Sequence, residues 1–487
     1  MLGWLFMPVL LLVLVASVAC APEPPRNVTP AALPAPLPTI DPAVVSSYVA
    51  PPAVRSFPAI AATVQTWIDT LDMVNIRAHG WDLWESINTP VDAIGTPVWE
   101  TWFSGHEVFE LGPSAVQQRA AFRDFESPVQ FHDRFKGTPI APQPVPGERV
   151  TAFNRYTLNL ANYIWSEQLY LSSTLTLINQ QFDQNNTPVA DRKIAAGPID
   201  PQSIALKPVF QFISGTEPTV IPYWAGISPQ TTTNLANPEP HTWRQGVVVD
   251  PTGTFPVGST VWLPVNGEPP APRIVVPLEA FYTILLTADD VANFSQFAET
   301  SGDDLGLNNQ GDPTSVAALV QPGNIAVMVA MHVTTKEIDN WTWQTFWWAH
   351  NPHDPFYGSD RPASIGAPWS NYNMDTAYFM IAPPPTATPG DLRALTLGDP
   401  VVAFNPYLET NLTGTIPITD LRSVYWTGVN SNCMSCHRMA AWRPGSTPAA
   451  PGLSPPYVPN GQINPDDPLF AGYTKVDFLW SIATRTR

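Results

Sequence analysis

Proline limits what this chain can fold into more than any other residue. There are 57 prolines in 487 positions, and each one fixes φ and removes a backbone donor, so regular elements persist only where prolines are sparse. The density argues against a helical bundle and favours irregular, loop-rich β structure. Residues 150–182 contain neither Pro nor Gly, and Phe153, Tyr156, Leu160, Tyr163, Ile164 and Leu171 recur at helical spacing. That pattern predicts one helix. A second helix is expected over residues 60–75, from Ile60, Val64, Trp67, Ile68, Leu71 and Val74.

After Pro198 the period shortens. Strands are expected at 206–213, 246–250, 260–264, 281–287, 325–335 and 341–348, separated by Pro, Gly and Asn clusters. The fold class is therefore α+β: a mainly helical and loop region over 59–200, a β-rich, sandwich-like body over 201–420, and a short C-terminal segment over 421–487. Strict alternation along 325–333 puts Ile325, Val327, Val329, Met331 and Val333 on one face, with Ala326, Met328, Ala330 and His332 on the other. Along 341–348 it groups Trp341, Trp343 and Trp347 against Phe346 and Trp348. Such a tryptophan stripe suits either a core or a cofactor wall.

The chain opens with an apolar run over residues 1–19 ending in Ala16-Ser17-Val18-Ala19, followed at once by Pro-rich sequence. It reads as a secretory signal peptide over 1–20. Ser17-Val18-Ala19-Cys20 resembles a lipobox, which makes Cys20 the candidate lipidation site and a lipid anchor in the membrane the expected partner. Simple secretion, with cleavage after Ala19 or Ala21, and a retained anchor are the alternatives. All three place the body outside the cytoplasm, in the periplasm or on the outer membrane. Residues 21–58 then read as a Pro-rich tether.

Near the other end stands Cys433-Met434-Ser435-Cys436-His437. Two thiols one helical turn apart, with an imidazole directly after, form the attachment pattern for one c-type haem: the thiols bond to the vinyl groups and His437 becomes the proximal iron ligand. With three Cys and eight His in the chain, chance produces this pattern in roughly 2 of 10,000 chains of the same composition. Zinc and thioredoxin-like redox chemistry use similar spacings. Zinc needs about four ligands, and the one other cysteine is the distant Cys20. A redox pair requires a strand leading into the helix, and the turn-rich run Gly428-Val429-Asn430-Ser431-Asn432 does not demand one. If both thiols hold haem, no structural disulfide is possible within the chain.

Other titratable groups carry weaker signals. His350-Asn351-Pro352-His353-Asp354 suits a metal or a polar turn, and the proline favours the turn. His106 and His132 read as surface or locally bonded imidazoles. A net charge of −18 with only 13% charged residues speaks against nucleic acid as a partner.

Several blocks from Lys207 onward resemble a known group. They are Lys207-Pro208-Val209-Phe210, the Asn237-Pro238 to Trp243 stretch with Val248-Val249-Asp250-Pro251, and Met331-His332-Val333-Thr334-Thr335-Lys336-Glu337-Ile338. Trp341-Thr342-Trp343-Gln344-Thr345-Phe346, Asn405-Pro406-Tyr407-Leu408-Glu409, Asn432 to His437, and Asp477-Phe478-Leu479-Trp480-Ser481 complete the set. Together they resemble exported bacterial single-haem cytochrome c family proteins with a C-terminal C-x-x-C-H. The resemblance covers Lys207 to the end. It implies haem binding at Cys433, Cys436 and His437 and accords with electron transfer to or from a redox partner protein, and it supplies no substrate.

The chain beyond the motif constrains the sixth iron ligand. The 50 residues after His437 contain no histidine, and their one methionine, Met439, is tethered on the proximal side. A distal ligand must come from upstream, from an unusual donor such as Lys475, or from water. His332 or Met331 are the first candidates, then Met328, His350, His353, Met374 and Met380. A filled position suits electron transfer, whereas an open one suits a haem enzyme or gas sensor. A third possibility is a binding module that the haem merely staples.

Overall fold

The computed structural model describes residues 43, 46–119, 123, 125, 150–195, 200–225, 243–265, 268–293, 319–355, 357–382, 399–401, 403, 405–408, 432–445 and 461–486. The segment read as a signal peptide, with Cys20, most of the segment read as a tether, and His132 lie outside them. Six helices of the described part matter here: α1 (Ala61–Asp69), α2 (Met73–Ile87), α3 (Leu158–Ser166), α4 (Ser172–Gln184), α5 (Cys433–Arg438) and α6 (Trp480–Arg485). The fold is α+β.

The main sheet is antiparallel throughout. Its strands are β1 (Phe103–Ser104), β2 (Val150–Ala152), β3 (Arg155–Tyr156), β4 (Ile204–Ile213), and, further on, β9 (Thr283–Leu285), β10 (Ile325–Thr335), β11 (Thr342–Trp348) and β12 (Tyr372–Thr376). The order is β1-β3-β4-β10-β11-β12, with β2 also on β4 and β9 also on β10. A smaller sheet runs β5-β6-β8-β7, from β5 (Thr219–Pro222), β6 (Gly246–Val249), β7 (Thr260–Val265) and β8 (Glu268–Val276). Both sheets feed one hydrophobic core, which joins Ile221, Val247 and Val249 to Val327, Trp347 and Trp84.

The central strand β10 is eleven residues long and free of breakers, and every residue along it except His332 is buried. It does not alternate strictly. The pairing with β4 slips between Met328 and Ala330, leaving Val329 as a bulge. Directly opposed residues share a face, so the register assigns sides. Ala326, Met328, Met331, Val333 and Thr335 lie with Phe210, Pro208 and Leu206, and on the far side of β11 with Phe346 and Gln344. Ala330, His332 and Thr334 lie with Val209, Lys207 and Ala205, and with Trp347, Thr345 and Trp343. The alternation expected from sequence is corrected here: Met328 and Met331 share a face, because one extra residue shifts the phase.

The face bearing Met331 is covered by α2. Trp84 stacks on Phe346 at 4.1 Å between ring centroids and 18° between planes, and Trp81 meets the same ring at 5.9 Å. Gly80 eases this approach, since a Cβ there would stand 2.7 Å from Met374 Sδ and push that side chain aside.

Both helices expected from sequence are interrupted. The first ends at Asp69, Leu71 takes a left-handed φ of 52°, and Asp72 caps a new helix by accepting from Asn75 N at 3.2 Å. The single helix expected over 150–182 opens instead as β2 and β3, because its first residues pair with β4. It then splits at Gln168, whose φ is 54°. The strand β8 was hidden by Pro269, Pro270 and Pro272. It meets β6 only at Val275 and Val276, so its proline-bearing part has a ladder on one side alone.

Residues 48–58, read from sequence as the end of a tether, are docked on the body. Tyr48 stacks on Phe103 at 6.2 Å, Trp102 Nε1 donates to Val49 O at 3.0 Å, and Arg55 donates to Asp82 at 2.6 Å. The apolar Tyr48 and Phe57 among the prolines provide the burial that a tether lacks.

Candidate haem-attachment site

The C-terminal segment lies on the second face of the main sheet, against Trp343. Its helix α5 begins at Asn432, whose side chain accepts from Ser435 N at 3.0 Å and donates to Val401 O at 2.9 Å and Phe379 O at 3.2 Å. This one residue caps the helix and anchors it to two neighbouring segments. Ser435 Oγ donates to Gly461 O at 2.7 Å. With that turn fixed, Cys433 and Cys436 stand three residues apart on one side of the helix. The Cys433 thiol donates to Ala403 O at 3.4 Å and is half-buried, while Cys436 is buried.

After α5 the chain forms β15 (Ala441–Trp442), which pairs with β16 (Thr474–Lys475). (Earlier, between β12 and α5, lie β13, Ile381–Ala382, and β14, Asp399–Pro400, paired with each other.) Val476 N donates to Ala440 O at 3.0 Å, and the next two residues turn through left-handed backbone, Asp477 at φ 50° and Phe478 at φ 67°. A bulky residue in that region costs about 1–3 kcal/mol. The turn carries the Phe478 carbonyl to His437, whose Nδ1 lies 2.9 Å from it.

A carbonyl oxygen only accepts, so Nδ1 carries the proton and Nε2 keeps its lone pair. Burial pushes the imidazole down to about 3; the Phe478 carbonyl opposes this, and the nearby His332 and Lys207 add to it. His437 is thus neutral across the physiological range, the form that ligates iron. Trp343 lies against its ring at 4.1 Å between centroids. Two thiols on one helical side and a neutral imidazole oriented through Nδ1 fit a c-type haem.

The distal candidates separate by face. His332 projects on the side of Trp343 and Thr345, within electrostatic reach of His437. Met331, Met328 and Met374 lie on the opposite side, beneath α2, and all three are fully buried. Met380 packs in the cluster that contains Met434 and Met439. His350 is exposed and lies 5.1 Å from the Tyr223 ring, and His353 is exposed in a turn whose Asp354 accepts from Tyr357 N at 3.1 Å. Lys475 donates to Val189 O. His106 pairs locally with Glu110 at 2.8 Å. Among the described residues no group of three or more His, Cys, Asp or Glu converges as a metal site.

Residues that sequence reasoning did not single out complete the site. Lys207 pairs in register with His332. Asn405 donates to Thr345 Oγ1 at 2.8 Å, on the same face, and Lys336 binds Asp477. Lys207, Asn405 and the Lys336–Asp477 pair are far apart in sequence, and the main sheet and the C-terminal segment bring them together. No protein-family model, curated protein or solved structure matches the chain.

Proposed function

We infer that this protein is an exported single-haem c-type cytochrome of the family it resembles, which passes electrons to or from a partner protein. The observation that carries the reading is the arrangement at His437: a neutral imidazole with Nδ1 engaged by a backbone carbonyl, next to two thiols on one helical turn, with His332 on the same sheet face as Trp343 and within electrostatic reach. Cys433 and Cys436 would hold the cofactor through thioether bonds, His437 would ligate the iron from the proximal side, and His332 from the distal side. When bound, haem supplies a one-electron couple. The chain's own part is to hold both imidazoles on a rigid sheet and a capped helix, so that little rearranges on electron transfer. Trp343 and the apolar cluster with Met434, Met439 and Phe478 exclude water beside His437. The two sheets form a sandwich-like body bearing a short C-terminal haem segment. Residues 1–20 direct export, and Cys20 carries the lipid that keeps the body at a membrane surface. No helix among the described residues is long and apolar enough to cross a membrane.

The test is expression in a host competent for c-type maturation, then intact mass and absorption spectra in both oxidation states, with and without CO. Covalent haem is expected, lost in C433A/C436A, together with a low-spin spectrum and slow CO binding. Colourless protein with no added mass overturns the reading. Covalent haem with rapid CO binding would replace electron transfer by a haem enzyme with an open iron site.

A further inference from the structure

The β10–β11 turn and the chain just before Phe478 are joined by one ion pair that haem attachment does not by itself require. Lys336 Nζ donates to both carboxylate oxygens of Asp477, at 2.9 and 2.8 Å, and to Asp339 O at 3.0 Å. Its ammonium also lies 5.0 Å from the centre of the Trp341 ring. The Lys336 side chain is 3% exposed and that of Asp477 12%. A second tie runs in parallel, from Arg438 Nη1 to Asn340 Oδ1 at 3.1 Å, while the Arg438 guanidinium covers the Phe478 ring at 5.0 Å.

Asp477 is thus gripped at the first of two consecutive left-handed residues, and the second presents its carbonyl to His437 Nδ1. Left to relax, non-glycine residues leave that region, and the Phe478 carbonyl would swing with them. A bidentate, desolvated ion pair has the directionality to prevent this.

We propose that Lys336 and Asp477 are positioning residues that lock the Asp477–Phe478 turn and so set the strength of the hydrogen bond from His437 Nδ1 to the Phe478 carbonyl. The proposal rests on the protein's being a c-type haem protein. A strong bond to Nδ1 makes the imidazole a better donor and favours ferric iron; a weakened one raises the reduction potential.

The sign of the shift separates positioning from plain electrostatics. In K336M the loss of a nearby positive charge alone would stabilise ferric iron and lower the potential. Release of the turn acts the other way. The double variant K336M/D477N removes both charges and leaves no unpaired buried ion, so the two electrostatic effects oppose each other. Haem-loaded K336M and K336M/D477N are expected to show a more positive potential than wild type, with K336R, which retains a bidentate donor, close to wild type. Faster deuterium exchange at His437 Nδ1 should accompany the shift. A lower potential in K336M, or an unchanged one in the double variant, overturns the proposal. So does a failure of both variants to fold while wild type and K336R mature, since the pair would then serve folding rather than tuning. Wild-type protein that takes up no haem defeats the haem reading itself, an outcome distinct from these.

Discussion

Met331 and His332 are neighbours in sequence, yet the sheet sends them to opposite faces, which makes a paired substitution diagnostic. Met331 is opposite Phe346 beneath α2 and is wholly buried, so M331A opens a cavity in a close-packed layer. Truncations of this kind cost about 2–5 kcal/mol. With a urea dependence of about 1–3 kcal/mol per molar, the midpoint should fall by about 0.7 M or more. His332 is the one half-buried residue of β10. H332A removes a side chain that faces the site rather than the packed layer and should cost about 1 kcal/mol. The spectroscopic order is the reverse. M331A should keep the wild-type spectra and slow CO binding, whereas H332A should lose its low-spin bands and bind CO rapidly in the ferrous state. Urea titration and CO mixing on both variants decide the matter. If M331A opens the iron to CO and H332A does not, the faces assigned from the register with β11 are wrong, and the distal assignment falls with them.

Packing and charge set two further outcomes. W84A removes the ring stacked on Phe346 at 4.1 Å and should cost about 3–5 kcal/mol in a urea melt while leaving the haem spectrum intact; a changed spectrum with unchanged stability would contradict the layer arrangement. Lys475 is held down to about 8 by burial and by the neighbouring Arg438, Arg192 and Lys193 charges. Its folded pKa lies below its unfolded one, so the folded state binds fewer protons between about pH 8 and 10.4, and stability rises with pH across that window. The unfolding free energy of wild type minus that of K475M should therefore climb by about 2–3 kcal/mol from pH 8 to 10.4, and a flat difference would refute the shift.

The parts of this molecule legible in its sequence are those governed by local chemistry. The start and end of β10 match the breaker-free run at 325–335 because β-branched residues and bounding turns act over a few positions. The three residues of the C-x-x-C-H pattern are defined by spacing alone. What escaped was set by partners far along the chain. Residues 150–156 have an apolar pattern that a helix would accept, but β4 offered them a ladder. The extra residue at Val329 becomes visible only against the register of β4, and no periodicity in β10 itself marks it.

The same division explains why the distal side of the site could not be chosen beforehand. Strict alternation already separated Met331 from His332, but it gave no way to say which face the C-terminal segment would cover. That choice depends on α2: its Trp81, Trp84 and Gly80 pack against Phe346 and Met374 and occupy the part of the Met331 face nearest β11 and β12. Asn405 and α5 are left with the face carrying Lys207, His332, Trp343 and Thr345, where Asn405 binds Thr345 and His437 meets Trp343. The N-terminal helices thus decide which residues of the central strand can face His437, although they lie on the opposite side of the sheet.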